Sequence, residues 1–468
     1  MKTKKYDFIV VGSGGGAKIA RPAANLGFKV AIIEKDKLGG TCLNRGCIPS
    51  KMLIHPADIM QEINHAKTFN IKVDKPTINF KKLTKEISES TNKTSNSILE
   101  NYSAGKIKNL DFFQGEAKFI DDNTIEINGE KIQGDKIIIG VGARPSVPPI
   151  KGLSETPFMT STQALYNNKL PEKLLVIGGG YIGVELGHAY GAFGSDVNFM
   201  VRGELIPRVD RQVREEFVTE FKEKYKVHEN IEFQEVTYDK KTKIFTIKYT
   251  QNKKEKTITG DALLVATGVK INTDTLDIQN TSVKLNQNGT IQVNKKLQTT
   301  VPHIYALGDC AGNFMFRHSA NFEAEYLFEN LVEKKLEVPK NYIKYPPMPW
   351  AIFSNPQVAG VGLTQEEANE QEIEVFTGIN YYKNSAMGDA FRSKNGLVKL
   401  IFEKKTQKLI GAHIVGAEAS NMIHMLIVAM SFNATLTDLL EKFIYIHPAL
   451  PENVRNAARV AKANLKVD

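Results

Sequence analysis

Cysteine is scarce in this chain: Cys42, Cys47 and Cys310 are the only three in 468 residues. That scarcity excludes a disulfide-stapled secreted domain and points to a reducing, cytoplasmic setting. There is no Cys-x-x-Cys pair, so no metal site is expected. Long apolar runs are also missing. Stretches such as Phe8-Ile9-Val10-Val11 and Leu174-Leu175-Val176-Ile177 are strand-sized, so no membrane-spanning helix and no membrane partner are predicted. The basic start Met1-Lys2-Thr3-Lys4-Lys5 precedes an apolar run that is too short for a signal peptide and reads as a first strand. Charge of one sign is never concentrated. The 61 Lys and Arg exceed the 52 Asp and Glu by nine, and the excess is spread along the chain. The cluster Lys253-Lys254-Glu255-Lys256 reads as a solvated hairpin tip. Nucleic acid is therefore not an expected partner, and the surplus suits attraction of small anions. Cys310 reads as a small buried hydrophobe.

What is present is an ordinary globular composition, 42% hydrophobic and 24% charged, long enough for two to four domains. Two glycine loops punctuate it. The first follows a buried strand as Gly12-x-Gly14-x-x-Ala17, and the next strand ends at Glu34, 22 residues beyond Gly12. Such glycines let a diphosphate approach a helix N-terminus, and the acid is placed to accept hydrogen bonds from a ribose. Pro22 lies inside the helix that follows and is expected to bend it or break its first turns. The second loop is Gly178-Gly179-Gly180-Tyr181-Ile182-Gly183. The strand after it ends at Arg202 where an acid would mark NAD, and Arg208 follows. Arginines there suit a 2′-phosphate and so NADP, although Glu204 stands between them and both arginines could be solvated surface residues. Two loops imply two dinucleotides.

The third feature is the pair Cys42 and Cys47 in Gly39-Gly40-Thr41-Cys42-Leu43-Asn44-Arg45-Gly46-Cys47-Ile48-Pro49-Ser50-Lys51. On a regular helix their Cα atoms would be roughly 8–9 Å apart. A disulfide needs less than about 7 Å. The helix must therefore be irregular here, as Gly46 and Pro49 permit. A structural staple over so small a loop would accomplish little, whereas a strained or exposed bridge exchanges readily. A dithiol beside a bound dinucleotide suggests electron transfer from a nicotinamide through a flavin to a disulfide.

These segments resemble the class I pyridine nucleotide–disulfide oxidoreductases, FAD enzymes that include dihydrolipoamide dehydrogenase, glutathione reductase and mycothione reductase. The redox segment, with Leu-Asn and Ile-Pro-Ser, is similar to the dihydrolipoamide dehydrogenase and mycothione reductase form. Ala266-Thr267-Gly268, the run Thr300 to Asp309 and His447-Pro448-Ala449-Leu450-Pro451-Glu452 resemble three further family motifs. Gly140-Val141-Gly142 departs from the usual Ala-Thr-Gly, and Lys270 stands where Arg is common. The resemblance implies an α/β fold of two Rossmann-like domains and a C-terminal α+β interface domain. FAD would occupy residues 1–150 and 270–340, NAD(P) residues 151–269, and a dimer interface residues 341–468. Tyr345-Pro346-Pro347-Met348-Pro349 fits the start of the last domain. A long polar helix is expected over Asn79 to Asn101.

By the same resemblance, Cys42 is the interchange thiol and Cys47 the thiolate facing the flavin. His447 of the partner subunit is the acid–base group and Glu452 orients it. Lys51 lies near flavin N5 and pairs with Glu185. Tyr181 covers the flavin until nicotinamide arrives, and a purely structural aromatic is the alternative. Gly12, Gly14, Gly15, Ala17, Glu34, Lys35, Gly40, Thr41, Lys51, Gly142, Gly308 and Asp309 would contact FAD. Gly178, Gly180, Tyr181, Gly183, Arg202, Arg208 and Gly268 would contact NAD(P). A helix starting near His318 would aim its positive end at the flavin. Arg45 is read either as an added charge for the thiolate or an anionic substrate, or as a solvent-facing side chain. The expected activity is dihydrolipoamide dehydrogenase, acting on a lipoyl-carrying protein or a small thiol. The alternative is an NADPH-dependent reductase of a low-molecular-weight disulfide. Mercuric reductases and large thioredoxin reductases carry a C-terminal cysteine pair, and no cysteine follows Cys310.

Overall fold

The computed structural model describes residues 3–465. Met1 and Lys2 of the basic start, and Lys466, Val467 and Asp468, lie outside the described residues. The chain divides into two compact units. One comprises residues up to Ser50, Leu83–Ser146 and Gly268–Lys344; the other comprises Lys51–Lys82, Val147–Thr267 and residues from Tyr345 onward. Two of the divisions fall at Thr267/Gly268, within the motif noted above, and at Tyr345, where the proline cluster begins.

In the first unit, the strands Leu110–Gln114, Val30–Glu34, Lys4–Val11 and Glu130–Ile139 run parallel in that order, and Ile304–Ala306 pairs parallel to the last of them. Thr124–Ile127 and Lys118–Phe119 extend the sheet antiparallel. Alternate residues of one strand reach different cores. Phe8 and Val10 pack with Ile19, Ala20 and Tyr305, whereas Ile9 and Val11 pack with Ile137, Ile139 and Ile304. Burial on both faces explains why the strand reads as a continuous apolar run. The helix Ala17–Asn25 passes through Pro22 without a break. Only one intrahelical bond is lost there, and the helix ends three residues later, with Leu26 N–H donating to the Pro22 carbonyl at 3.1 Å. The long polar helix runs Phe80–Ser103, close to the expected span.

In the second unit, Lys226–His228, Asp196–Met200, Lys173–Ile177 and Ala262–Val265 form a four-stranded parallel sheet. An antiparallel meander, Ile231–Asp239, Ile244–Gln251 and Lys254–Gly260, accompanies it. Its second turn places Asn252 and Lys253 at φ of 52° and 62°, the geometry of a tight hairpin, as the charge cluster suggested. A five-stranded antiparallel sheet, ordered Pro349–Ile352, Gln357–Gly362, Leu409–Gly416, Leu397–Glu403 and Val375–Tyr381, packs with the helices Ala419–Ser431 and Glu452–Asn464. Among the described residues no helix is long and apolar enough to cross a membrane.

Candidate active site

The two glycine loops are built alike. Gly12 and Gly178 take φ of 101° and 124°, and a side chain at either would strike a carbonyl at the end of the adjacent strand, that of Gly140 or of Ala266. Glycine is required on both counts. The helices Ala17–Asn25 and Tyr181–Ala192 begin directly after their loops, with Gly16 and Gly180 as N-caps that supply no side chain. Gly183 packs against Gly178, where a Cβ would lie 3.0 Å from the Gly178 oxygen.

Glu34 ties the first loop to the redox segment. One carboxylate oxygen accepts from the Ser13 N–H at 2.9 Å and its hydroxyl at 2.7 Å; the other accepts from Asp36 N–H at 3.0 Å. The Ser13 hydroxyl in turn accepts from Gly39 N–H at 3.0 Å. Gly40 lies so close to Gly14 that a Cβ on it would sit 2.7 Å from the Gly14 Cα. The Leu38 carbonyl is held from two sides, by Asn44 Nδ2 at 2.9 Å and by Ser95 Oγ of the long helix at 2.8 Å. Lys35 is occupied with Glu116 at 3.3 Å on the exposed surface.

The helix carrying Cys42 is broken as the spacing required. It spans only Gly40–Asn44, Arg45 leaves helical geometry at φ −149°, and a second helix starts at Cys47 and runs to His65. Gly46 permits the break by packing on Thr41, where a Cβ would meet the Thr41 oxygen at 3.1 Å. Cys47 is exposed and Cys42 half-buried. The hydrogen bond to Cys47, followed by burial, pushes the Cys42 thiol well above its ordinary pKa, while the Arg317 guanidinium pulls the other way.

Arg45 pairs with Asp36 at 2.7 Å and is not among the charges that bear on Cys42. The cation that bears on Cys42 is Arg317, which sequence reading missed. It opens the helix Arg317–Leu327, one residue before the expected start, and a Cβ on Gly14 would lie 3.7 Å from its Nη1. The signal available was a lone arginine at a helix start, which chemistry alone does not distinguish from a surface residue. Gly308, at φ 70°, donates its N–H at 2.6 Å to the buried carboxylate of Glu323. The adjacent Asp309 carboxyl is pushed up by burial, against its own backbone N–H. A partly buried acid with no partner residue among those described suits a hydroxyl-bearing ligand. Gly142 and Gly268 both hold positive φ, 62° and 103°, with open space where a side chain would stand.

In the second unit, Lys51 Nζ meets Glu185 Oε2 at 2.8 Å and lies 4.2 Å from the centroid of the Phe353 ring. The other Glu185 oxygen accepts from Phe353 N–H at 3.0 Å. The carboxylate is thus satisfied on both oxygens, and its position on the helix after the loop is fixed. Arg202 and Arg208 are exposed and form no ion pair among the described residues. Glu204 does not intervene between them, because it pairs with Arg214. Burial raises the Tyr181 phenol, and the Arg208 charge acts to lower it, which places that arginine's field at the tyrosine.

His447 Nδ1 is 2.9 Å from Glu452 Oε2, and its ring is largely exposed, at 72%. Glu452 is buried and also holds Arg455 at 3.1 Å. Burial acts to raise its carboxyl, but the hydrogen bonds from His447 and Ala449 N–H outweigh that and keep it below the ordinary value. An ionised Glu452 fixes the proton on Nδ1 and leaves Nε2 as the exposed acceptor.

A family model described as pyridine nucleotide-disulphide oxidoreductase matches residues 6–324. The dimerisation domain of the same family matches residues 348–458. A mercuric reductase from Staphylococcus aureus is 34% identical, over 94% of this chain and 79% of its own length. A dihydrolipoyl dehydrogenase from Bacillus subtilis (strain 168) is 32% identical over 97% and 96%. Among solved structures, the Cu(II) complex of the HOCl-induced flavoprotein disulfide reductase RclA from Escherichia coli superposes with a TM-score of 0.85 at 26% identity, covering 98% of this chain and 99% of that one.

Proposed function

Because the chain belongs to the pyridine nucleotide–disulphide oxidoreductase family, whose members use FAD and NAD(P) and carry a dimerisation domain, we propose that it is an NADPH-driven reductase of a low-molecular-weight disulfide. The flavin disulfide oxidoreductase chemistry belongs to the family. The choice of donor and substrate is our reading, and it rests on Arg202 and Arg208. Neither forms an ion pair among the described residues, while Glu204, which lies between them in sequence, is engaged by Arg214. Two free cations suit the extra phosphate of NADP.

In this reading Gly12, Gly14, Gly15 and Ala17, with Gly40 and Thr41, would hold the FAD diphosphate. Glu34 would hold its ribose, and Asp309 beside Gly308 would hold a hydroxyl of the ribityl chain. When bound, FAD would supply two-electron transfer between nicotinamide and the dithiol. Lys51, paired with Glu185, would supply positive charge to it. Tyr181 covers the nicotinamide place until the dinucleotide arrives. Cys42 attacks the substrate disulfide. Its proton, held by Cys47, needs an acceptor, and Nε2 of His447 of the partner subunit takes that part, with Glu452 as its orienting group.

Dihydrolipoamide dehydrogenase is the second reading. Relatives of that name align over nearly their whole length at about the same identity. Initial rates on the FAD-loaded protein separate the two. Dihydrolipoamide would be offered with NAD+ or NADP+, and lipoamide and small-thiol disulfides with NADH or NADPH. NADPH-driven reduction of a small disulfide with negligible lipoamide turnover is expected. Fast NAD+ reduction by dihydrolipoamide would replace the first reading by the second. Neutralising both arginines (Arg202→Gln with Arg208→Gln) should raise the KM for NADPH by about tenfold or more and leave that for NADH nearly unchanged. Equal effects on the two would remove them from 2′-phosphate recognition.

A further inference from the structure

Trp350 is the single tryptophan of the chain. Its ring stacks on Tyr181, with centroids 5.9 Å apart and planes at 27°. Tyr181 is the first residue of the helix that follows the second glycine loop. One turn further on, Glu185 accepts the backbone N–H of Phe353, three residues beyond Trp350. The segment from Trp350 to Phe353 therefore holds the first turns of this helix at two points, by a ring stack and by a hydrogen bond.

The two rings differ in their freedom to move. Trp350 is backed by Gly360, where any side chain would strike the indole, and by the buried His413 ring at 6.2 Å. His413 is itself anchored, its Nε2 lying 2.9 Å from the Leu363 carbonyl. The indole, itself half-buried, is thus confined on that side. Tyr181, likewise half-buried, follows a loop of glycines, and the Arg208 charge acts on its phenol.

We propose that Trp350 is a positioning residue that latches Tyr181 in its covering place, so that the stack sets how tightly the nicotinamide end of NAD(P) binds. The inference rests on Tyr181 covering that place, as stated under Proposed function. Nicotinamide must then separate the two rings, and the stacking energy is lost from its binding. The adenosine end, seated beside Arg202 and Arg208, is unaffected.

The test is equilibrium calorimetry on the oxidised, FAD-loaded protein. NADP+ and NAD+ are compared with 2′,5′-ADP and ADP, fragments that lack nicotinamide. For Trp350→Ala, the Kd for the preferred dinucleotide should fall by about two- to tenfold, the worth of one aromatic stack, while the fragment's Kd stays fixed. Trp350→Phe should lie between this variant and the wild type. In the wild type, the lone tryptophan's emission should change with the dinucleotide and not with the fragment. An unchanged Kd ratio in Trp350→Ala, together with tighter dinucleotide binding in Tyr181→Ala, overturns the latch and leaves Tyr181 as the cover. No change in Tyr181→Ala overturns the cover, and the latch with it. Equal weakening for dinucleotide and fragment in Trp350→Ala makes the residue structural only and overturns the latch. A silent wild-type emission does the same even if the alanine variant fails to fold.

Discussion

Cys47→Ser is expected to leave a folded, yellow protein whose colour NADPH still bleaches but which reduces no disulfide above background. The residue starts a helix and is exposed, so serine replaces it there at little structural cost. What disappears is the second sulfur. Cys42 can attack a substrate, but the mixed disulfide then has no internal thiol to resolve it, and no route remains to refill Cys42 with electrons. The same substitution removes the sulfur that holds the Cys42 proton, so the Cys42 thiol should titrate closer to its ordinary value. Alkylation rates against pH would report that shift. His447→Gln is the milder companion: FAD and nicotinamide binding should be unchanged while disulfide turnover falls by about 10²–10⁴. Stopped-flow bleaching and steady-state turnover on the same preparations check both variants. Disulfide reductase activity retained in Cys47→Ser would sink the assignment of the dithiol.

Much of this site was legible in the sequence because its requirements are local. A glycine forced to positive φ, an acid at the end of the next strand and a helix break between two cysteines are all set within a few tens of residues. The spacing of Cys42 and Cys47 predicted an irregularity, and the chain breaks at Arg45 and Gly46. Where local pattern stopped, so did the reading. Arg45, between the thiols, was read either as a charge for them or an anionic substrate, or as a solvent-facing side chain; it pairs with Asp36, and Arg317, some 270 positions later, bears on Cys42. Glu204 looked like an intruder between two arginines until its partner Arg214 was visible one helix on. The Tyr181–Trp350 stack joins two segments with nothing in either sequence to announce the other. Pro22 does not break its helix because one missing hydrogen bond matters little in a helix of nine residues whose inner face is buried.

Asp210→Ala should be the most damaging single change to stability, and clearly worse than removal of its partner by Lys399→Met. Both side chains are fully buried. Lys399 stands in the strand Leu397–Glu403, between Val398 and Leu400. Its ammonium has three acceptors, the two Asp210 oxygens at 3.0 and 2.8 Å and Gln365 Oε1 at 2.8 Å. Asp210 is better supplied: it also accepts from Gln212 N–H at 3.1 Å, capping the helix Arg211–Lys224, and from Gln365 N–H at 3.2 Å. Deleting Lys399 leaves a carboxylate that still has two backbone donors. Deleting Asp210 leaves an ammonium with a single amide oxygen and an uncapped helix, a loss of about 3–5 kcal/mol. Burial alone would raise the Asp210 carboxyl, but the hydrogen bond and charge of Lys399 prevail and hold it below its ordinary value. A depressed carboxyl stabilises the fold above its unfolded pKa of about 3.9, and that contribution is lost as pH falls through the lower folded value. Chemical denaturation of the two variants at neutral pH, and of the wild type from pH 6 downward, tests both statements. Equal destabilisation by Asp210→Ala and Lys399→Met would show that the backbone donors do not share the load, and wild-type stability unchanged down to about pH 2 would rule out the titration.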